Sequence, residues 1–321
     1  MQIVNNTEVE EKTLGKQTIN KNLELLPNHK DLEVLKSKNA KFSYEKYTIT
    51  GLYSVGRIKN LIEDEEKMRA HAEELKQIIK SHGTQAIFSP VISRKALNKE
   101  TVEAFLRLQL EAGLETVSLF EGDIHQNEME TKKFFEQKIK QLEGKKIIPF
   151  LSLAMQGEYL LSKKLKILKT LGFGLVNVSF TGYKKYRDNL LLVLGSTGNN
   201  FPEVLISCAW NKVGRTSCPI LLSLYNPRYV SSGYKWGASK KQQERNIEML
   251  NERKIEFDSL SRKEKNELKT ELQISSEQEL FDYIRRENFI RNQHIIERLI
   301  DLDEESLKKL IEENEALKAF F

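Results

Sequence analysis

Cysteine is nearly absent from this chain. Cys208 and Cys218 are the only two among 321 residues, too few for a disulfide scaffold or a four-cysteine zinc or iron–sulfur site. Long apolar runs are absent too: none approaches the roughly 18 residues of a membrane span. The stretch Met1–Asn20 is polar and carries Glu8, Glu10 and Glu11, unlike a secretory signal. The chain therefore reads as a soluble, cytoplasmic protein. Short chemical signatures are missing as well, with no P-loop, no G-x-G-x-x-G after a strand, no H-E-x-x-H, no C-x-x-C and no G-x-S-x-G. Gly195-Ser196-Thr197-Gly198 lacks the lysine of a phosphate loop and reads as a turn. No cofactor is implied by any motif.

What is present is charge, and it is segregated. Lys212 to Arg245 hold seven basic residues against one acid, whereas Asn246 to Phe321 hold 13 basic and 19 acidic ones. This separation suggests one basic working surface, with a solvated face of clustered charge as the plainer alternative.

Apolar runs recur at a pitch of about 30 residues, the length of one βα unit. They are Tyr47–Val55, Ala86–Ile92, Glu115–Glu121, Lys146–Leu153, Leu175–Phe180 and Glu203–Ala209. Their near-continuous apolar character suits a parallel sheet covered on both faces. Between them, Ile58–Ser81 and Lys99–Ala112 have helical spacing, and Gly83, Gly113, Gly144 and Gly172 mark helix ends. Pro219–Tyr225 reads as a seventh strand and Ile255–Phe257 as a weak eighth, after a helical stretch Ser239–Glu252. The expected fold is α/β, a TIM-like (β/α) barrel, complete or irregular, with a C-terminal helical extension. Asn189–Leu194 is ambiguous, and as a strand it would favour an open doubly wound sheet. The expected divisions are a polar lead-in (1–45), the barrel (46–260) and a helical tail (261–321). In the tail, Ser261–Leu272, Ser276–Leu299 and Ser306–Ala319 read as helices. Ser276 with Glu279 forms a capping box, and Ser306 marks a helix start. The stripe Leu280, Ile284, Ile290, Ile295, Ile296 and Leu299 must bury against the barrel, a second copy or a protein partner.

A barrel presents its chemistry at the C-terminal ends of its strands. There Glu121, Asp123 and His125 place two carboxylates and an imidazole within five residues. They suit a general base with a proton shuttle, or a divalent cation, although no second ligand cluster supports a metal. The plainer alternative is that Asp123 caps the next helix. Arg94, Ser152 and Thr181 follow other strands and suit reading a polar ligand. Tyr225–Gly237 interleaves Tyr229, Tyr234 and Trp236 with Arg228 and Lys235, and Arg215 lies just upstream. Aromatics that stack on bases beside cations that neutralise phosphate suit RNA or DNA; packing under the tail is the alternative. The cysteines read as buried structural thiols.

The barrel, the late basic aromatic segment and the helical tail, with the stretch Arg291-Asn292-Gln293-His294-Ile295-Ile296-Glu297, resemble the tRNA-guanine transglycosylase-like proteins. The resemblance implies a transferase acting on nucleobases in tRNA or DNA, with two aspartates at strand ends and a zinc site. Only Asp123 stands at such a position here and the zinc ligands are missing, which implies a divergent or non-catalytic relative. A non-catalytic nucleic-acid-binding or assembly protein is the alternative function. A small-molecule lyase is a third, weakened by the lack of a strand-end lysine for a Schiff base.

Overall fold

The computed structural model describes residues 19–36, 44–92, 98–120, 128–152, 158–180, 202–208, 212–233 and 247–318. The fold is α/β, built around parallel strands. In chain order the strands are β1 (Glu24–Leu26), β2 (Tyr47–Ile49), β3 (Leu52–Tyr53), β4 (Ala86–Phe88), β5 (Val91–Ile92), β6 (Thr116–Phe120) and β7 (Lys146–Ser152). They continue as β8 (Leu175–Phe180), β9 (Glu203–Cys208), β10 (Lys212–Val213), β11 (Thr216–Ser217), β12 (Tyr229–Ser231), β13 (Glu248–Asn251) and β14 (Glu256–Ser259). A six-stranded parallel sheet has the order β1-β12-β9-β8-β7-β6. β2 and β4 form a separate parallel pair, which β3 and β5 extend toward the strands' C-terminal side. The strands β10-β11-β14-β13 make an antiparallel sheet.

Helices alternate with the parallel strands. They are α1 (His29–Lys36), α2 (Val55–Glu63), α3 (Glu65–His82), α4 (Lys99–Glu111), α5 (Glu128–Gln141), α6 (Glu158–Thr170) and α7 (Cys218–Ser223). The tail supplies α8 (Arg262–Glu271), α9 (Glu277–Asp301), α10 (Glu304–Glu313) and α11 (Glu315–Lys318). Local chemistry sets many ends. Asp64 stops α2 and its carboxylate accepts from Lys67 N to start α3, so the expected single helix Ile58–Ser81 is two. The glycines at 83, 113, 144 and 172 all have positive φ, a region closed to most side chains and open to glycine. Ser261/Glu264 and Ser276/Glu279 both form capping boxes. The third tail helix starts at Asp303 rather than Ser306, because the Asp303 carboxylate accepts from Ser306 N at 2.7 Å.

Several sequence expectations are corrected. Residues 24–36, expected within a polar lead-in, supply β1 and α1, and β1 pairs with β12. The run Pro219–Tyr225 is not a strand but largely α7: proline near its first turn presets φ, and leucine favours helix. Ile255 sits in a turn at φ 58°, and Glu256–Ser259 pairs antiparallel with β13, outside the parallel set. Residues 248–251, expected as helix, are β13. On α9 the buried aromatic is Phe289, while Ile290 is half-buried. Asn189–Leu194 lies outside the described residues.

Two large apolar cores lie under the helices. One joins Phe135, Leu165, Val178, Ile206 and Leu221 to Ile295, Ile296 and Leu299 of α9. The other joins Tyr47, Ile49, Phe88, Phe105, Phe120 and Phe150 to Phe289. The tail is thereby part of the folded unit. It also covers a sheet edge: Asn288 Oδ1 accepts from Leu250 N at 2.7 Å and its Nδ2 donates to Glu248 O at 2.9 Å along β13.

The join between β4 and β6 has no ladder among the described residues. Gln109 of α4 takes up backbone groups of β6 that the ladder to β7 leaves free. Its Oε1 accepts from Ser118 N at 2.7 Å, and its Nε2 donates to Ser118 O at 2.9 Å. Both bonds are buried, so they satisfy backbone groups that would be costly to leave unpaired. Phe88 of β4 and Phe120 of β6 meet through this gap, with ring centroids 6.1 Å apart.

Candidate functional site

Alternation along the strands sorts the side chains into two sets. Tyr47, Ile49, Ala86 and Phe88 pack into the core beneath the helices, so Thr48 and Ile87, partners in register, face the opposite way. Ile87 gathers with Leu26, Ile148, Leu205 and Tyr229, drawn from five different strands. Lys46 and Arg228 flank the Tyr229 ring at 5.4 and 4.4 Å from its centroid. Both cations precede their strands, which places this apolar cluster toward the N-terminal ends.

Two residues further along the strands the character changes from apolar to polar. Ser89, Asn177 and Ser207 bond to one another. Asn177 Nδ2 donates to Ser89 Oγ at 3.1 Å, Ser207 Oγ donates to Asn177 Oδ1 at 2.6 Å, and the Ser89 and Ser207 hydroxyls touch directly. All three are buried. On the neighbouring strand Thr48, level with Ile87 of the apolar cluster, and Thr50, two residues further on, are buried as well, and neither hydroxyl has a hydrogen-bond partner among the described residues. Hydroxyls and an amide here form a neutral polar layer.

A charged corner lies where β1 and β12 end. Asn28 N donates to Ser232 Oγ at 2.9 Å, Asn28 Nδ2 donates to the same oxygen at 3.1 Å, and that hydroxyl contacts Asp31. Arg285 of α9 donates to Asp31 Oδ1 at 2.8 Å and to Asn28 Oδ1 at 3.2 Å. Asp31 is 4% exposed, so this pair is desolvated on the carboxylate side and depends on its hydrogen bonds. Next to it, His29 Nδ1 accepts from Thr50 N at 3.4 Å. Burial, aided by Lys30 and Arg285, lowers the His29 pKa to about 3, so its imidazole is neutral at physiological pH.

A second polar group sits beside β3. Tyr53 Oη donates to His71 Nε2 at 2.6 Å, and His71 Nδ1 meets Glu74 at 2.7 Å. A carboxylate can only accept, so the imidazole proton lies on Nδ1. Burial pushes the Tyr53 phenol up and the His71 imidazole down. The Phe88 and Phe105 rings stand edge-on to Tyr53 at 5.8 and 5.0 Å, so this group ties β3 to α3 inside a packed aromatic shell.

Of the residues singled out by sequence, Glu121, Asp123, His125, Arg94, Thr181, Tyr234, Lys235 and Trp236 lie outside the described residues, as does the segment 239–246. Ser152 ends β7 in register with Ser179. Arg215 stands on the β10–β11 hairpin, ion-paired with Glu256 and Asp258 at 3.6 and 3.1 Å. Arg228 pairs with Glu24 at 2.6 Å and also donates to Asn22 O. Tyr229 is buried among the apolar cluster. Arg228 and Tyr229 thus sit at the opposite end of β12 from Ser232, because the segment expected as one loop contains a strand. Cys218 is a buried free thiol.

Sequence reasoning missed Asn28, Asp31, Asn177 and Arg285. The run Leu23–Leu26 followed by Pro27-Asn28 carries a signal for a strand and a helix start inside the expected polar lead-in. Among the described residues no three His, Cys, Asp or Glu side chains gather as a metal site. No helix among them is long and apolar enough to cross a membrane.

No protein-family model matches the sequence, and no curated protein matches it. Among solved structures, the carboxyl transferase domain of Rhizobium etli pyruvate carboxylase, solved with pyruvate, is similar at 10% identity and a TM-score of 0.41. The match covers 90% of this chain and 50% of that one, so the chain spans about half the length of that structure. That likeness is too loose to support a fold or a function.

Proposed function

We propose that the parallel strands close into one (β/α) barrel whose C-terminal mouth binds a small nucleotide-like ligand. The observation that carries this reading is the bonded trio Ser89, Asn177 and Ser207. In a flat sheet β4 would lie four strand spacings from β9, about 19 Å at ~4.8 Å each, and Ser89 could not touch Ser207. The Asn28–Thr48 bridge joins β1 to β2 on the other side, and the Phe88–Phe120 contact spans the β4–β6 gap. The polar layer then lies inside the barrel above an apolar floor. Neutral hydroxyls and an amide match the donor and acceptor edges of a nucleobase without demanding charge.

Chain connectivity adds the acid–base half of the proposal. β6 ends at Phe120, and the sequence continues directly into Glu121, Asp123 and His125. In this reading Asp123 or Glu121 is the general base or nucleophile and His125 the proton shuttle. A small ligand is favoured over a polymer because Arg228 and Tyr229 belong to the far end of β12.

Calorimetric titration with free nucleobases and nucleosides tests the ligand class. One saturable site, weakened in Ser207→Ala, is the expected result. Absence of binding to every base and nucleoside overturns the reading. For the chemistry, Asp123→Asn should leave binding intact and abolish exchange of a labelled base into a bound nucleoside or RNA. Undiminished exchange removes Asp123 from the mechanism.

A further inference from the structure

Tyr53, His71, Glu74 and Arg57 bring a buried phenol, an imidazole, a carboxylate and a guanidinium together at β3, beneath the helices and outside the polar layer. From their arrangement we infer that His71 is an acid-released latch: neutral, it holds Arg57 against β3, and protonated, it expels Arg57. The latch is independent of the proposed ligand.

Arg57 lies in the first turn of α2, where Ser54 Oγ accepts from Arg57 N at 3.3 Å. Its side chain folds back toward the strand. One Nη donates to Leu52 O at 3.3 Å, and the guanidinium carbon stands 4.7 Å from the centroid of the Tyr53 ring. The other Nη is 3.3 Å from both nitrogens of His71. An in-plane approach at equal distance from both nitrogens would strike the carbon between them, so Arg57 lies over the face of the ring. A cation is attracted to the face of a neutral ring and repelled by an imidazolium. The in-plane positions are taken: Tyr53 Oη donates to Nε2 at 2.6 Å, and Nδ1–H donates to Glu74 Oε2 at 2.7 Å. A further proton can enter only at Nε2, where it removes the lone pair that accepts from Tyr53. Tyr53 is 2% exposed and enclosed by the Phe88 and Phe105 rings. Its phenol must then turn its oxygen to the new N–H and leave its own proton unpaired, at the cost of a buried donor.

The groups that bear on the charge of His71 are Arg57 from α2, Glu74 from its own helix α3 and the Tyr53 phenol from β3. Burial holds the imidazole pKa below its ordinary value; the Glu74 bond opposes this and the Arg57 charge adds to it. The Glu74 side chain is 68% exposed, so water screens much of its attraction. Of the two groups that protonation disfavours, Tyr53 is enclosed and Arg57 stands at the surface, so Arg57 is the one that leaves. Its departure takes the donor from Leu52 O and unties β3 from α2 and α3. β3 extends β2 on the C-terminal side, the end at which parallel sheets and barrels take their ligands.

NMR on the full chain, labelled in histidine and arginine, tests the latch, with Arg57→Gln identifying the Arg57 Nε–H signal. At neutral pH we expect His71 as the Nδ1–H tautomer and an Arg57 Nε–H order parameter near the roughly 0.85 of rigid backbone. On acidification that parameter should fall below about 0.6, with the same midpoint as the His71 titration. Arg57→Gln and Tyr53→Phe should each move the midpoint to higher pH. The first removes a cation, and the second removes a donor that only the neutral ring accepts. Glu74→Gln should move it to lower pH. His71→Gln, neutral at every pH, should abolish the pH dependence of Arg57 order. An Nε2–H tautomer, Arg57 order that does not follow the His71 midpoint, or a midpoint unmoved by Arg57→Gln overturns the latch. Arg57 order that still varies with pH in His71→Gln, or global unfolding before His71 titrates, overturns it as well.

Discussion

The two sides of the parallel strand set are held by different means. From β6 through β7, β8, β9 and β12 to β1, every neighbour is joined by a backbone ladder. Among the described residues β2 and β4 pair with each other alone; at their flanks stand a single bridge at Asn28–Thr48 and the Phe88–Phe120 ring contact, while Gln109 satisfies the Ser118 backbone of β6 that no strand covers. A ladder spreads its hydrogen bonds over many residues, so losing one partner costs little locally. A flank held by one bridge and one ring contact concentrates the same duty in a few residues. The laddered side can therefore tolerate substitution at its strand surfaces, while the other depends on Gln109, Asn28 and the aromatic rings that fill the gap. That weaker side also borders the charged corner of Asn28, Asp31 and Arg285.

The largest effect expected is from removing the tail. Its Ile295, Ile296 and Leu299 lie in one main core and Phe289 in the other, and burial is favourable by about 25 cal/mol per Å². Truncation after Leu260 should leave an aggregating chain or one without a cooperative thermal transition. A truncated protein that melts like the full chain would separate tail from strands.

Next is Arg285→Leu, which abandons the Asp31 carboxylate in a buried position. The expected loss is about 3–5 kcal/mol in urea unfolding, and Asp31→Asn in the same chain should recover much of it. Additive losses in the double variant would show that the two residues do not act as a pair. Gln109→Leu should cost roughly 2–4 kcal/mol, because it orphans a buried donor and acceptor on β6. A cost below that of an ordinary surface change would mean that the gap is closed by other means.

The smallest effect is a pH dependence. The folded His29 titrates near 3, far below its ordinary range. As the pH falls below about 6.5, the unfolded chain takes up a proton that the folded one refuses. Stability is thus full above the unfolded value and is lost on acidification down to the folded pKa. At pH 5 the loss should be about 2 kcal/mol, with His71 and His82, also depressed by burial, acting in the same direction. His29→Asn should flatten the dependence of the urea midpoint on pH between 7 and 4. An unchanged slope would place the acid sensitivity elsewhere.

Much of this architecture was legible locally. Apolar runs at a regular pitch located β6, β7, β8 and β9 almost to the residue, and the four glycines marked helix ends, because strand burial and helix termination depend on neighbours in sequence. Ser276 and Glu279 announced the start of α9 in the same way. The run Pro219–Tyr225 was not decidable locally, since a short buried helix and a short buried strand share one apolar composition. β1 was hidden for a related reason: three residues among polar neighbours become a strand only when β12 lies beside them. The site is further still from local reach. Asn28 meets Ser232 across 204 positions and Arg285 across 257, and Ser89 meets Ser207 across 118. Sequence by itself determined which segments could bury and where they stop. Only the tertiary structure decided which polar groups share an interior, because hydrogen bonds between distant strands depend on how the sheet curls.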